Sequence, residues 1–109
     1  MRNVKHWLLP TLGLGILTAS ALRAEPVEPS AQRGGETFGI YCASCHGEGA
    51  VGGFGPALTD LAARKDQRPV ADIIRKPSPS MPPLYPATIN DRDVADIEAY
   101  LLSIQGERG

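Results

Sequence analysis

The sequence contains few of the residues that most often bind metals. Its 109 residues include two cysteines, two histidines and two methionines. It also contains no run that alternates apolar with polar residues, and no internal repeat. From residue 25 onward only two cysteines and one histidine remain, one ligand fewer than the four that a zinc site takes. The other two absences argue against a β-sheet protein and against a repeat protein.

Size and charge narrow the function classes further. A chain of this length with 42% apolar residues is expected to form one domain with a modest core. From residue 25 onward it has eight basic and twelve acidic residues, which gives a net charge of −4. Nucleic acid is therefore not an expected partner.

The N-terminal residues have the pattern of an export signal. Arg2 and Lys5 form a positive region, residues 7–22 are uncharged, and residues 19–21 are small, as at a signal-peptidase site. We therefore expect a cleaved signal peptide over residues 1–24. The alternative is an uncleaved anchor in the inner membrane, facing the periplasm, and only then would a membrane be a partner. The uncharged run has 16 residues, whereas a spanning helix needs about 20.

The remainder of the chain divides into a short linker and one domain. Residues 25–30 are acidic and proline-spaced, as in an extended linker, and residues 31–109 form the domain. Ser30 is the expected N-cap of a helix over residues 31–44. Three glycines in this helix each cost about 1 kcal/mol relative to alanine, which indicates that another backbone packs closely against it. They are Gly34, Gly35 and Gly39.

Short helices and irregular loops are expected after the first helix. In order, they are a glycine loop over residues 47–56, a helical turn over 58–64, a helix over Pro69–Arg75 and a proline-rich loop over 77–86. Asn90 and Asp93 form a capping box for the last helix, which stops near Gly106. Its apolar stripe consists of Val94, Ile97, Leu101 and Ile104. The predicted fold class is all-α, with three to four short helices and long loops.

The two cysteines lie three positions apart and a histidine follows at once, as Cys42, Cys45 and His46. This is the c-type haem attachment motif. On a helical turn the two thiols face the same side, so they can add across the two vinyl groups of one haem. The next residue then lies beneath the ring, where its imidazole can bind iron. We therefore predict one haem c, attached through Cys42 and Cys45, with His46 as an axial ligand.

Other roles for these segments have less support. A dithiol redox centre expects a βαβ pattern around the cysteines, and a disulfide between them would constrain little chain entropy. A zinc site needs a fourth ligand, and the exported part has no further Cys or His. Residues 47–52 also spell G-x-G-x-x-G, with Asp72 at the distance of a ribose-binding acid. That dinucleotide motif requires a preceding strand, which the pattern does not predict.

The chain contains one methionine after the haem motif, Met81, which follows His46 by 35 residues and lies in the proline-rich loop. Methionine opposite histidine raises the potential of a haem iron and suits electron transfer. We therefore predict Met81 as the second axial ligand. The alternatives are an exposed or gap-filling methionine, with a weaker ligand in its place. Such ligands would be Lys65, Lys76 or Tyr85.

Together these features resemble the class I c-type cytochromes over residues 34–105. Members of that family have a glycine and an aromatic residue eight and four positions before the first haem cysteine, and Gly34 and Phe38 match them. In the family these residues cross the C-terminal helix at an apolar and an aromatic residue, which Ile97 and Tyr100 match. The resemblance implies a cytochrome c fold wrapped around one haem.

The resemblance also implies a role for Gly55 and Pro56. In the family, the carbonyl of a proline after the haem motif accepts the ring N–H of the haem-binding histidine, which fixes the tautomer of that ring. Residues 74–82 are similar to the family's methionine-bearing loop. The stretch between His46 and Met81 is shorter than usual, which is a departure from the family pattern.

The expected function is that of a periplasmic monohaem electron carrier. Its partners would be a donor dehydrogenase or reductase and an acceptor oxidase or cytochrome. With both axial positions filled, iron has no open site, so neither enzymatic activity nor a small-molecule substrate is expected. The alternatives are a dedicated cytochrome subunit of a dehydrogenase complex, a haem sensor or haem enzyme, and a thiol oxidoreductase.

Charge is distributed unevenly along the exported part. Four acidic residues gather at the start of the last helix, namely Asp91, Asp93, Asp96 and Glu98. Five basic residues fall within 13 positions before the proline-rich loop. One interpretation is that both sets are solvated faces that suit the helix dipoles. The other is that the basic set borders the haem edge and steers an acidic partner to it. This basic set is Arg64, Lys65, Arg68, Arg75 and Lys76.

Overall fold

The computed structural model describes residue 10 and residues 13–16, 27–64 and 67–107. This part of the chain contains four α-helices, two 3₁₀ turns and no strand. The helices are α1 (Ala31–Tyr41), α2 (Ala43–His46), α3 (Val70–Arg75) and α4 (Asp91–Ser103), and the turns are Glu48–Ala50 and Leu61–Ala63. The predicted all-α fold class is confirmed.

Most of the predicted signal peptide lies outside the described residues, as do its cleavage site and Lys65. Within the described ranges, no helix has the length and apolar character that crossing a membrane requires.

The first helix begins as predicted but ends three residues early. The Ser30 hydroxyl accepts a hydrogen bond from the Arg33 amide at 3.2 Å, which confirms the N-cap. The helix ends at Tyr41, and Cys42 separates it from α2. The amides of Cys45 and His46 both donate to the Cys42 carbonyl, so the haem motif forms a tight turn of its own. This second hydrogen-bonding unit is the reason for the break.

The last helix has the predicted cap and stripe. The Asn90 side chain accepts from the Asp93 amide at 3.0 Å, and the Asp93 carboxylate accepts from the Asn90 amide at 2.9 Å. The capping box is therefore confirmed. All four residues of the predicted apolar stripe are buried, and they form half of the hydrophobic core. The others are Phe38, Ala50, Ile74 and Ile89.

The α1 and α4 helices cross in close contact at Gly34. A Cβ atom on this residue would overlap the carbonyl of Asp96 in α4, so only glycine permits the approach. The predicted close backbone contact is thus confirmed for Gly34. Gly35 instead lies against the ring of Tyr100, and a Cβ on Gly39 would meet nothing within 4 Å.

A buried carboxylate holds the same crossing together. Asp96 accepts from the Ser30 amide at 2.7 Å and from the Arg33 guanidinium at 2.8 and 3.0 Å. Arg33 also donates to the Glu28 carbonyl at 2.8 Å, which ties the residues that precede α1 to this crossing. The side chain of Asp96 is only 4% exposed, so it does not belong to a solvated acidic face. The interpretation of the acidic residues as one such face is wrong at this position.

The third helix and the loop after it lie on the other side of the core. Pro69 immediately precedes α3, whereas the sequence predicted it as the first helical residue, a difference within the usual ambiguity of helix ends. Ile74 is buried, whereas Val70 and Ile73 are partly exposed. No helix or strand forms over residues 76–90, as the prolines predict.

Candidate haem site

Two adjoining cavities lie between the helices and the loops. The larger has a volume of about 490 Å³, which is within the range of about 300–1,000 Å³ typical of ligand and cofactor sites. The smaller continues it into the core, where Phe38, Ile97 and Leu101 form part of its lining. Both cavities are mainly apolar, as a porphyrin requires. The five predicted site residues all line the larger cavity: Cys42, Cys45, His46, Pro56 and Met81.

The ring of His46 is held by the carbonyl of Pro56. The Nδ1 atom lies 2.8 Å from this oxygen. A carbonyl only accepts, so Nδ1 must carry the hydrogen, and the neutral ring then keeps a lone pair on Nε2. Histidines that bind metals usually donate their other ring N–H in this way, which sets both tautomer and orientation. The residues present therefore fit a metal ligand at Nε2.

The glycine loop is built around the end of α2. The amides of Gly52 and Gly55 donate to the carbonyls of His46 and Cys45, each at 2.7 Å, which satisfies acceptors that the short helix leaves open. A Cβ atom on Gly55 would lie 3.0 Å from two atoms of the His46 ring. The glycines thus allow the chain to pass beside the imidazole. With α2 before it and a 3₁₀ turn within it, this segment lacks the strand–loop–helix context of a dinucleotide site.

The two cysteines are half-buried on the wall of the larger cavity. Burial, and secondarily the neighbouring Cys45, raise the pKa of the Cys42 thiol to about 11. Reactive thiols of redox enzymes have the opposite property, since their pKa is lowered. Together with His46, the pair presents the three groups of the haem motif to one apolar space.

Met81 is half-buried and packs against the hydrophobic core. It lines both cavities, as His46 does, so the structure brings the two predicted axial ligands to the same space. Of the weaker alternatives, Lys76 and Tyr85 line neither cavity. Lys65 lies outside the described residues.

Comparison with known proteins agrees with this geometry. Residues 29–101 match the family described as cytochrome c oxidase, cbb3-type, subunit III. A cytochrome c-553-like protein of Synechocystis sp. is 33% identical over 75 residues, which cover 68% of this chain and 69% of that protein. The chain belongs to the class I c-type cytochromes. This is a family of electron carriers with covalently bound haem.

Solved structures share the same fold. Cytochrome cL from Methylophaga aminisulfidivorans matches with a TM-score of 0.57 and 26% identity, over 69% of this chain and 53% of that one. A chain of the sulfane dehydrogenase SoxCD from Paracoccus pantotrophus matches with a TM-score of 0.50 and 26% identity, over 72% and 44%. This c-type cytochrome therefore spans about half the length of the solved chains that it matches.

The cavity lining also includes Gln67, which the sequence did not identify, and Arg64, a member of the basic set that one interpretation places at the haem edge. Arg64 and Gln67 line the larger cavity among mainly apolar neighbours. Arg64 donates to the Ala57 carbonyl at 2.6 Å and to Asp60 at 2.8 Å. No local pattern in the sequence distinguishes Arg64 from the other members of the basic set as a residue that lines the cavity.

Proposed function

We propose that this cytochrome is an exported one-electron carrier with a single haem, attached through Cys42 and Cys45 and ligated by His46 and Met81. The haem, when bound, supplies an iron centre that gains and loses one electron. The observation that carries the proposal is that an oriented imidazole and a half-buried thioether line one apolar cavity.

The chain's own residues explain why the site would transfer electrons and not bind a substrate. The Pro56 carbonyl keeps a lone pair on Nε2 of His46, and the loop that carries Met81 brings a soft sulfur ligand to the same cavity. Methionine favours the reduced state, which raises the potential. The mainly apolar lining lowers the polarity around both ligands, a property that tunes the potential of a metal site.

Two rival functions are less compatible with the geometry. A thiol oxidoreductase needs an accessible thiolate, whereas burial raises the pKa of Cys42 to about 11. A haem sensor or haem enzyme needs an open axial position, whereas Met81 packs against the core beside the cavity.

The proposed location is the bacterial periplasm, with residues 1–24 as a signal peptide, 25–30 as a linker and 31–109 as the cytochrome domain. The donor would be a dehydrogenase or reductase, and the acceptor an oxidase or another cytochrome. A dedicated subunit of a dehydrogenase is a second candidate, supported by the similarity to a chain of sulfane dehydrogenase SoxCD. Co-purification of the native protein with a larger enzyme would favour the subunit over the free carrier.

The ligand assignment is tested by replacing Met81 with Ala in the haem-loaded protein. We expect the weak near-infrared methionine-to-iron charge-transfer band of the oxidised protein to disappear, and the potential to fall, because a soft ligand that favours ferrous iron is lost. Optical spectra and a redox titration measure both effects.

A matched control is Leu102→Ala, which removes an exposed apolar side chain that lines neither cavity and should change neither quantity. A wild-type protein without the band, or a potential that Met81→Ala leaves unchanged, would show that another group ligates the iron.

A further inference from the structure

The loop of residues 76–90 carries Met81 and has no helix or strand to restrain it. Its own hydrogen bonds are local, such as those from the amides of Thr88 and Ile89 to the Leu84 carbonyl. Besides its packing against the hydrophobic core, the position of Met81 therefore depends on contacts between the loop and the elements at its ends. These ends are Arg75, the last residue of α3, and Asp91, the first residue of α4.

One guanidinium joins both ends and the interior of this loop. Arg75 Nη2 donates to Asp91 Oδ1 at 3.1 Å, across 16 positions of sequence. The same guanidinium carbon lies 5.5 Å from the centre of the Tyr85 ring, within the range of a cation–π contact. Tyr85 lies four positions after Met81, so the contact restrains the loop next to the proposed ligand.

The charges of Arg75 and Asp91 favour the paired arrangement that the structure shows. Hydrogen bonding by Tyr85 and by Arg75 holds the pKa of Asp91 below its usual value. The pair is therefore fully charged at neutral pH. Arg75 ends its helix and Asp91 begins the next, so each charge also suits the dipole of its own helix. Each contact alone is weak, because the side chains of Arg75 and Asp91 are 37% and 73% exposed.

We propose that Arg75, Tyr85 and Asp91 form a latch that holds the Met81 loop against the cleft and so controls how readily Met81 leaves the iron. The proposal rests on the proposed function, because it takes Met81 as the axial ligand. The three are positioning residues, since they act on the iron only through Met81. A ligand added from solution binds only when Met81 is displaced, so its apparent affinity reports how often the loop opens.

The experiment titrates the oxidised, haem-loaded protein with imidazole and follows the loss of the methionine charge-transfer band. Arg75→Ala removes the two contacts of the guanidinium, the ion pair with Asp91 and the cation–π contact with Tyr85. Because both are lost, we expect imidazole to bind about 3- to 10-fold more tightly. Tyr85→Leu should give a smaller increase in the same direction. Tyr85→Phe keeps the ring and should stay closer to wild type than Tyr85→Leu.

The matched control is Arg92→Ala, which removes an equal charge from the residue next to Asp91 but none of the contacts of the latch. It should leave imidazole affinity unchanged. A second control is Ser30→Ala, which removes the α1 cap and destabilises the fold at a distance from the loop. If Ser30→Ala raises imidazole affinity as much as Arg75→Ala does, the effect is general destabilisation and the latch is wrong.

The two levels of the proposal fail in different ways. A wild-type protein that lacks the charge-transfer band contradicts Met81 as ligand, and with it the proposed function of this loop. A wild-type protein that has the band, together with Arg75→Ala at wild-type imidazole affinity, contradicts the latch alone.

Discussion

At the scale of single residues, the crossing of α1 and α4 depends on the absence of a side chain at one position. Replacing Gly34 with Ala would place a methyl group into the Asp96 carbonyl, and a main-chain atom cannot move aside as a flexible side chain can. We expect Gly34→Ala to lower the free energy of unfolding of the haem-loaded protein by about 2–3 kcal/mol, or to prevent folding. Denaturant titration measures this loss.

Gly39 provides the control for that substitution. It lies in the same helix, and an added Cβ would meet no atom within 4 Å. Gly39→Ala should therefore be neutral or stabilise the protein by up to about 1 kcal/mol, because alanine has the higher helix propensity. A gain in stability in both variants would show that helix propensity, and not contact with α4, decides the effect.

Residues whose role is set by their immediate neighbours could be predicted from the sequence. Ser30 and Asn90 cap helices through atoms three positions away, and the haem motif is just as local. Asp96 and Arg75 could not be predicted, because their partners lie 63 and 16 positions away. Only folding brings Arg33 to Asp96, and no sequence period signals the pairing.

At the scale of helices, the Arg33–Asp96 pair joins the linker, α1 and α4. Hydrogen bonds from Arg33 hold the pKa of Asp96 below its ordinary value of 3.8, despite the opposing effect of burial. A lowered pKa in the folded state stabilises the protein above the unfolded pKa, about 3.9, and this contribution is lost as the pH falls through the folded value. The pair should thus add to the free energy of unfolding at neutral pH, and this contribution should be lost in acid.

Asp96→Asn tests this linkage. At pH 7 the variant should be less stable than wild type by about 2–3 kcal/mol, because the Arg33 guanidinium loses its charged partner. Below about pH 4 the difference should shrink, because the wild-type carboxyl is protonated first in the unfolded state and, at a still lower pH, in the folded state. Thermal unfolding of both haem-loaded proteins across this range gives the comparison, and loss of the iron ligands in acid affects both alike. A difference in stability that stays constant with pH would contradict a lowered pKa for Asp96 in the folded state.

The helix boundaries show where sequence periodicity is insufficient. The apolar spacing continues from α1 through Cys42 and Cys45, so a single helix over residues 31–44 was the simplest prediction. The structure divides it at Cys42, whose carbonyl accepts two amides of the next turn. Periodicity reports which side chains share a face, but it does not report a change in the path of the backbone. The cysteine spacing is satisfied by either arrangement.

At the scale of the whole molecule, several charged side chains of the basic and acidic sets are paired with other groups within the fold. Arg64 pairs with Asp60 at 2.8 Å, and Arg75 pairs with Asp91 at 3.1 Å. Asp93 caps α4, and Asp96 is buried. Pairing reduces the electrostatic field that these groups project into solvent. Two members of the basic set, Arg64 and Arg75, therefore contribute less to the steering of an acidic partner. These pairings count against the interpretation that the basic set steers an acidic partner to the haem edge.

The core of the described part of the chain is small and adjoins a large cavity. Eight apolar side chains are buried in the described part of the chain, and a cavity of about 490 Å³ adjoins them. Without haem, the residues that line this cavity would lose their contacts or collapse onto one another. In domains of about 80 residues or fewer, a single hydrophobic core rarely supplies more than about 3–5 kcal/mol.

We therefore expect the double variant Cys42→Ala, Cys45→Ala, produced with the haem-attachment machinery, to carry no covalent haem and to be largely unfolded. Binding of haem to the folded state alone shifts the folding equilibrium, and covalent attachment makes that contribution permanent. The control is Ser44→Ala, an exposed position within the same turn that leaves both thiols in place and should fold with haem. Far-ultraviolet circular dichroism on heating distinguishes the two. A cooperative thermal transition in the haem-free double variant would show that the eight buried side chains fold the domain by themselves, and that the haem fills a cavity that the protein maintains without it.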